Sequence, residues 1–77
     1  MGTRAFILIE TQVGRARQVA EALGSFDGVL SADVVTGTFD VVALIEAPDM
    51  TAIADLVTGR VQGIRGVLRT ITCVAAG

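Results

Sequence analysis

The stretch Thr36-Gly37-Thr38-Phe39-Asp40-Val41-Val42-Ala43-Leu44-Ile45-Glu46 decides the fold. Its first three residues have the composition and length of a hairpin turn, and 39–46 reads as a strand. Alternation along that strand sends Val41, Ala43 and Ile45 to one face and Val42 and Leu44 to the other. A strand apolar on both faces belongs in the middle of a sheet. It also has an echo. Ile7-Leu8-Ile9-Glu10 resembles Ala43-Leu44-Ile45-Glu46, and Gly28-Val29-Leu30 resembles Gly66-Val67-Leu68. Each half of the chain therefore carries a strand, a helix and a second strand at similar spacing.

Working outward, Phe6-Ile7-Leu8-Ile9 predicts a first strand closing at Glu10-Thr11. Gly14 introduces a helix with apolar positions at Ala16, Val19, Ala20 and Leu23, the i, i+3, i+4, i+7 spacing. Gly24 is expected to supply a left-handed stop, with Phe26 packed back over the helix end. Residues 29–35 read as the second strand. Pro48 ends the third, Asp49 is the expected N-cap, and Met50, Ile53, Ala54 and Val57 begin a second helical stripe. Val61 and Ile64 continue it. Gly59 inside that helix costs about 1 kcal/mol relative to alanine, with no reason visible in the sequence. Residues 67–75 read as the fourth strand. The order is βαββαβ: an α+β, ferredoxin-like domain, with a four-stranded antiparallel sheet, the first and third strands central, and two helices on one face.

The whole chain, 1–77, is expected to form one such domain. A domain this small buries only about 60% of its unfolded surface and usually needs a disulfide, a metal or self-association. Cys73 is the only cysteine and there is no histidine, which leaves self-association. Cys73 itself is expected to be an inert buried thiol. In the fourth strand Val67, Ile71 and Cys73 oppose Leu68, Thr70, Thr72 and Val74, so both faces of the sheet are apolar or neutral. The face away from the helices would be a sticky patch in a monomer. Packing of two sheets face to face, as in a dimeric α+β barrel, resolves it.

No apolar run approaches the roughly 18 residues needed to span a bilayer, and the run after Arg4 stops at Glu10, too short for a signal peptide. A cytoplasmic protein is expected. Six arginines, no lysine and eight carboxylates give a net charge of −2. The arginines are scattered and no basic stripe interleaves with aromatics, which argues against direct nucleic-acid binding.

Catalytic chemistry has little to work with. Histidine, tyrosine, tryptophan, asparagine and lysine are all missing, which removes the usual bases and the Schiff-base nucleophile. Ser25, Ser31 and Cys73 have no base at hand, and no paired-cysteine metal motif occurs. No catalytic residues, metal or cofactor are expected, and Glu21, Asp27, Asp33 and Asp55 read as surface acids. One constellation stands apart. Thr36, Gly37, Thr38, Phe39 and Asp40 place an acid and exposed backbone at the start of a central strand. Thr70 and Thr72 put two hydroxyls on one side of the last strand. Such groups at a protein seam could recognise the ammonium and carboxylate of a free amino acid. The same residues also read as an ordinary hairpin glycine, a turn-stabilising acid and strand threonines.

Gly37-Thr38-Phe39-Asp40, followed by apolar residues, resembles the G-x-[YF]-D hairpin of the Lrp/AsnC family of feast/famine transcription regulators, in their C-terminal effector (RAM) domain. Gly66-Val67-x-x-Thr70-x-Thr72 is similar to that domain's last strand, and Thr11-Gln12-Val13-Gly14 to the first turn of its stand-alone versions. The resemblance runs from Arg4 to Val74. It implies sheet-packed homodimers joined into octamers or decamers, with an effector amino acid bound at the seams between dimers. It further implies that Gly37, Phe39 and Asp40 hold the ligand's charged ends, with Thr70 and Thr72 in support. Full-length members carry an N-terminal helix-turn-helix domain; a complete chain of this length would resemble the stand-alone modules, which do not read DNA. Such a module would act by co-assembling with full-length relatives or by sequestering its effector. Phe39 lacks the hydroxyl of the family's frequent tyrosine, so effector identity does not transfer. Two other readings stand beside this one: a purely structural self-assembling module with a vestigial pocket, and a small ferredoxin-like enzyme.

Overall fold

The computed structural model describes residues 2–76. In chain order the elements are β1 (Thr3–Thr11), α1 (Ala16–Gly24), β2 (Val29–Val34), β3 (Val41–Ala47), α2 (Met50–Leu56), a π-helical turn (Val57–Val61) and β4 (Val67–Val74). The four strands lie in the order β2-β3-β1-β4, every neighbouring pair antiparallel. The order and the central places of β1 and β3 are those the sequence predicts.

Period-2 alternation builds the core. Ala5, Ile7 and Ile9 of β1 stand opposite Ile45, Ala43 and Val41 of β3, and all six side chains are buried. The helices close over that face with residues at i+4 spacing: Val19 and Leu23 from α1, then Ile53, Val57 and Val61. Full burial of each such Val, Leu or Ile side chain contributes about 1.5–3 kcal/mol. Partly buried Phe26 packs against the same cluster at the exit of α1, as expected.

Start and stop signals were met unequally. Asp49 caps α2, its carboxylate accepting from the Ala52 N–H at 2.8 Å. Gly24 does not take the left-handed conformation expected of it. It is the last residue of α1, and the helix closes through Ser25, whose Oγ donates to the Ala22 carbonyl at 2.7 Å. The left-handed backbone falls later, at Gly28, and again at its echo Gly66, with φ of 91° and 101°. A Cβ on Gly28 would lie 2.9 Å from the Glu46 carbonyl oxygen, and one on Gly66 would lie 2.9 Å from Cβ of Arg15. Both carbonyls are engaged as well. Gly28 O accepts from Glu46 N, and Gly66 O from Gln12 N, each at 2.8 Å. Each strand–helix–strand half is thus tied to the end of the other half's central strand through a glycine.

The second helical stripe is not one α-helix. After Leu56 it widens into the π turn, where the Gln62 N–H reaches back five residues to the Val57 carbonyl at 2.9 Å. Gly59 lies within this turn, and a Cβ there would meet open space. The structure shows no steric demand for it.

The other face of the sheet carries no helix. Phe6 and Leu8 of β1, Val42 and Leu44 of β3, and Ile71 and Cys73 of β4 share it, with Ser31 and Asp33 on the β2 edge. Phe6 is 45% exposed and Ile71 37%. Cys73 is exposed rather than buried, because its register opposite Phe6 turns it away from the helices on an edge strand. Two charge pairs flank the patch: Arg4 with Glu46 at 3.1 Å, and Arg69 with Glu10 at 3.9 Å.

Candidate functional site

The hairpin between β2 and β3 is longer than a three-residue turn. The Val35 N–H donates to the Asp40 carbonyl at 2.9 Å, enclosing Thr36 to Phe39, so the ladder of β3 begins at Val41. Phe39, read as the first residue of that strand, belongs to the loop. Thr36, Gly37 and Thr38 form its exposed tip, with Gly37 at φ 152° and nothing within 4 Å of where its Cβ would stand.

Asp40 anchors the loop. Its N–H donates to the Ile9 carbonyl at 2.9 Å, and its Oδ2 accepts from the Thr11 N–H at 2.8 Å. Thr11 sits at the shift in register between β1 and β4, where its N–H needs a partner outside the ladder. It is only 7% exposed, so that partner matters. Half of the Asp40 carboxylate is therefore committed to the fold.

Phe39 turns toward the helix-free face. The Arg69 guanidinium lies over its ring, 5.4 Å from the centroid, and Arg69 stands opposite Glu10 on that face. Thr70 and Thr72 take the other side of β4, opposite Ile9 and Ile7, whose side chains point to the helices. The Thr70 hydroxyl accepts from Nε2 of Gln62 at 3.0 Å, joining the end of the π turn to β4. An open depression of about 400 Å³ lies there, lined by Gln62 and by Val67, Leu68, Arg69 and Thr70.

The residues singled out from the sequence therefore form two groups. Phe39 and Asp40 meet Thr11, Glu10 and Arg69 at one end of the sheet, with Thr36 to Thr38 above them. Thr70 and Thr72 do share a side, as period 2 requires, but it is the opposite side from Arg69 and Phe39. Arg69, Glu10 and Gln62 were not singled out. A signal was present for the first two: in strand alternation Arg69 opposes Thr70, and Glu10 is the echo of Glu46. Among the described residues no group of three or more Cys, Asp and Glu could hold a metal ion, and no helix is long and apolar enough to cross a membrane.

The structure is thus a ferredoxin-like sheet with one uncovered face and a polar hairpin loop at one end. Residues 4–76 match the Lrp/AsnC ligand binding domain, and the chain belongs to that family. It is 32% identical over 97% of its length to an HTH-type transcriptional regulator of Pyrococcus abyssi. The match spans 52% of that relative, so the chain corresponds to about half the length of the curated proteins it resembles. A crystal structure from Thermus thermophilus superposes with a TM-score of 0.91 at 33% identity, covering 97% of this chain and 94% of that one. AsnC of Escherichia coli shares the fold, with a TM-score of 0.90 at 20% identity over 97% of this chain and 51% of AsnC. The family is one of regulators, and the matched part is its ligand-binding domain.

Proposed function

We propose that this protein is an oligomeric amino-acid-binding module that regulates transcription of amino-acid metabolism without touching DNA through this domain. Two copies pack through the helix-free sheet faces, and dimers join as an octamer or decamer. A free amino acid binds at the seams, near Thr36, Gly37, Thr38, Phe39 and Asp40 of one copy, with Thr70 and Thr72, which face the other side of β4, as supporting hydroxyls from an adjoining copy. The module acts by sequestering its effector or by co-assembling with full-length regulators of the family. It is not an enzyme, it works in the cytoplasm, and residues 1–77 form one domain.

The observation that carries the reading is the uncovered face itself. Phe6, Leu8, Val42, Leu44 and Ile71 form an apolar surface on a chain whose only cysteine is free. A second copy supplies the missing layer of core, as small domains require. The net charge of −2 and absence of lysine support the lack of direct DNA contact.

A thermal-shift scan of ligand-free protein against the twenty amino acids at millimolar concentration tests the function. A ligand at 100 times its dissociation constant stabilises the native state by about 2.7 kcal/mol, on the order of 10 °C for a domain this small. A selective rise with one or two amino acids establishes a sensor and names its effector. A flat panel leaves only the structural module.

A further inference from the structure

We infer that Arg69 is the carboxylate-binding residue of the effector site, with Phe39 as the platform under its guanidinium and Glu10 as the acid facing the ligand's ammonium. The inference rests on the amino-acid-binding reading above and gives that site its charged residues.

The sheet builds the same ion pair twice. Arg4 stands opposite Glu46 across β1 and β3, and Arg69 opposite Glu10 across β1 and β4. Both pairs lie on the helix-free face, and their side chains are about equally exposed, 56% and 39% against 55% and 38%. Only one of them closes. Arg4 Nε donates to Glu46 Oε2 at 3.1 Å, whereas Arg69 Nε stays 3.9 Å from Glu10 Oε1, too far for a hydrogen bond. At the second place, beside the register shift at Glu10 and Thr11, the guanidinium lies over the ring of Phe39.

Arg69 consequently keeps its donors. It makes no hydrogen bond to any described residue, while Arg15 donates to Gln18 at 2.9 Å and Arg4 to Glu46. A guanidinium presents two parallel N–H groups that fit a carboxylate in bidentate fashion, and stacking on a ring orders that fork before the ligand arrives. A separated cation and anion on one surface are complementary to a zwitterion: the carboxylate takes the fork of Arg69 and the ammonium takes Glu10. Asp40 brings one free oxygen to the same end of the sheet, its Oδ2 already serving Thr11, whereas both oxygens of Glu10 are without a hydrogen bond. The cluster also lies at the hairpin end of the apolar face, so a second copy seated on that face would screen it from water and strengthen both contacts.

The test compares free L-amino acids with their α-carboxamides by calorimetry, on the assembled protein and on Arg69→Gln and Arg69→Lys. The wild type is expected to prefer each acid it binds over the corresponding amide by 10- to 100-fold, on the order expected for a charged hydrogen-bond pair. Arg69→Gln should weaken the acid and leave the amide almost unchanged, removing the preference. Arg69→Lys, which keeps the charge and loses the fork, should fall between. If the wild type binds none of the twenty amino acids, the functional reading fails and this inference with it. If it binds but Arg69→Gln keeps the acid-over-amide preference, the role of Arg69 alone is overturned.

Discussion

The carboxylate of Asp40 accepts a hydrogen bond from the backbone N–H of Thr11 at 2.8 Å, tying the loop before β3 to the end of β1. Because Thr11 is buried at the point where the β1–β4 register shifts, the acid is part of the frame as well as part of the candidate site.

Read from the sequence, Asp40→Ala should weaken amino-acid binding and leave the fold intact. The Thr11 bond adds a cost. Asp40→Ala leaves a buried donor without its partner and should destabilise by about 1–3 kcal/mol. Asp40→Asn retains an amide oxygen for the same N–H and should lose less. Chemical denaturation of the two variants beside wild type checks the order; equal stability of all three would remove the strut role.

Gly28 and Gly66, left-handed and crowded, should be intolerant of a side chain. Gly66→Ala must strain the backbone at φ 101° and displace Arg15, and is expected to cost about 1–3 kcal/mol or more. Gly28→Ala meets the Glu46 carbonyl and should cost a similar amount.

Gly59 should behave in the opposite way. Its added Cβ meets nothing and its backbone is helical, so Gly59→Ala should stabilise the protein by about 0.4–1 kcal/mol. Melting curves give the sign. A loss of stability, or of oligomer mass, would show that the π turn is kept bare for a contact with another copy.

Assembly has its own test. Phe6 is 45% exposed on the helix-free face, so Phe6→Glu spares the core and burdens the surface between copies. Light scattering at micromolar concentration should show the wild type at dimer mass or above and Phe6→Glu as a monomer of lower stability. A wild-type monomer would sink the assembled architecture.

The Gln62–Thr70 bond separates two roles for the threonine. Thr70→Val removes the acceptor of Gln62 while keeping the shape, and because the pair is exposed it should change stability by no more than about 0.5 kcal/mol. If Thr70 serves only that tie, amino-acid affinity in Thr70→Val and Gln62→Ala should match wild type. A drop in affinity with Thr70→Val alone would give the hydroxyl to the ligand.

Local rules sufficed wherever one residue's chemistry dictates its own backbone or its own face. Alternation in 41–45 sorted that strand into two faces without saying which is buried, the i+4 spacing of Val19 and Leu23 determined the buried stripe of α1, and Asp49 announced the start of α2. The paired Ile-Glu and Gly-Val-Leu echoes determined the order of the halves. Tertiary structure decided what depends on neighbours distant in sequence. Phe39 stays out of β3 because the hairpin closes on Asp40 through the Val35 N–H, and Asp40 is itself pinned to Ile9 and Thr11. Cys73 is exposed because β4 is an edge strand whose register with β1 turns that position from the helices. Thr70 and Thr72 share a side, as the sequence said, but which side follows from Ile9 and Ile7 opposite them. Arg69 stands out only when Glu10 from β1 and Phe39 from the hairpin close around it. Side-chain period is a property of one strand, whereas register and proximity are properties of pairs, and a single chain read along its length carries the first and not the second.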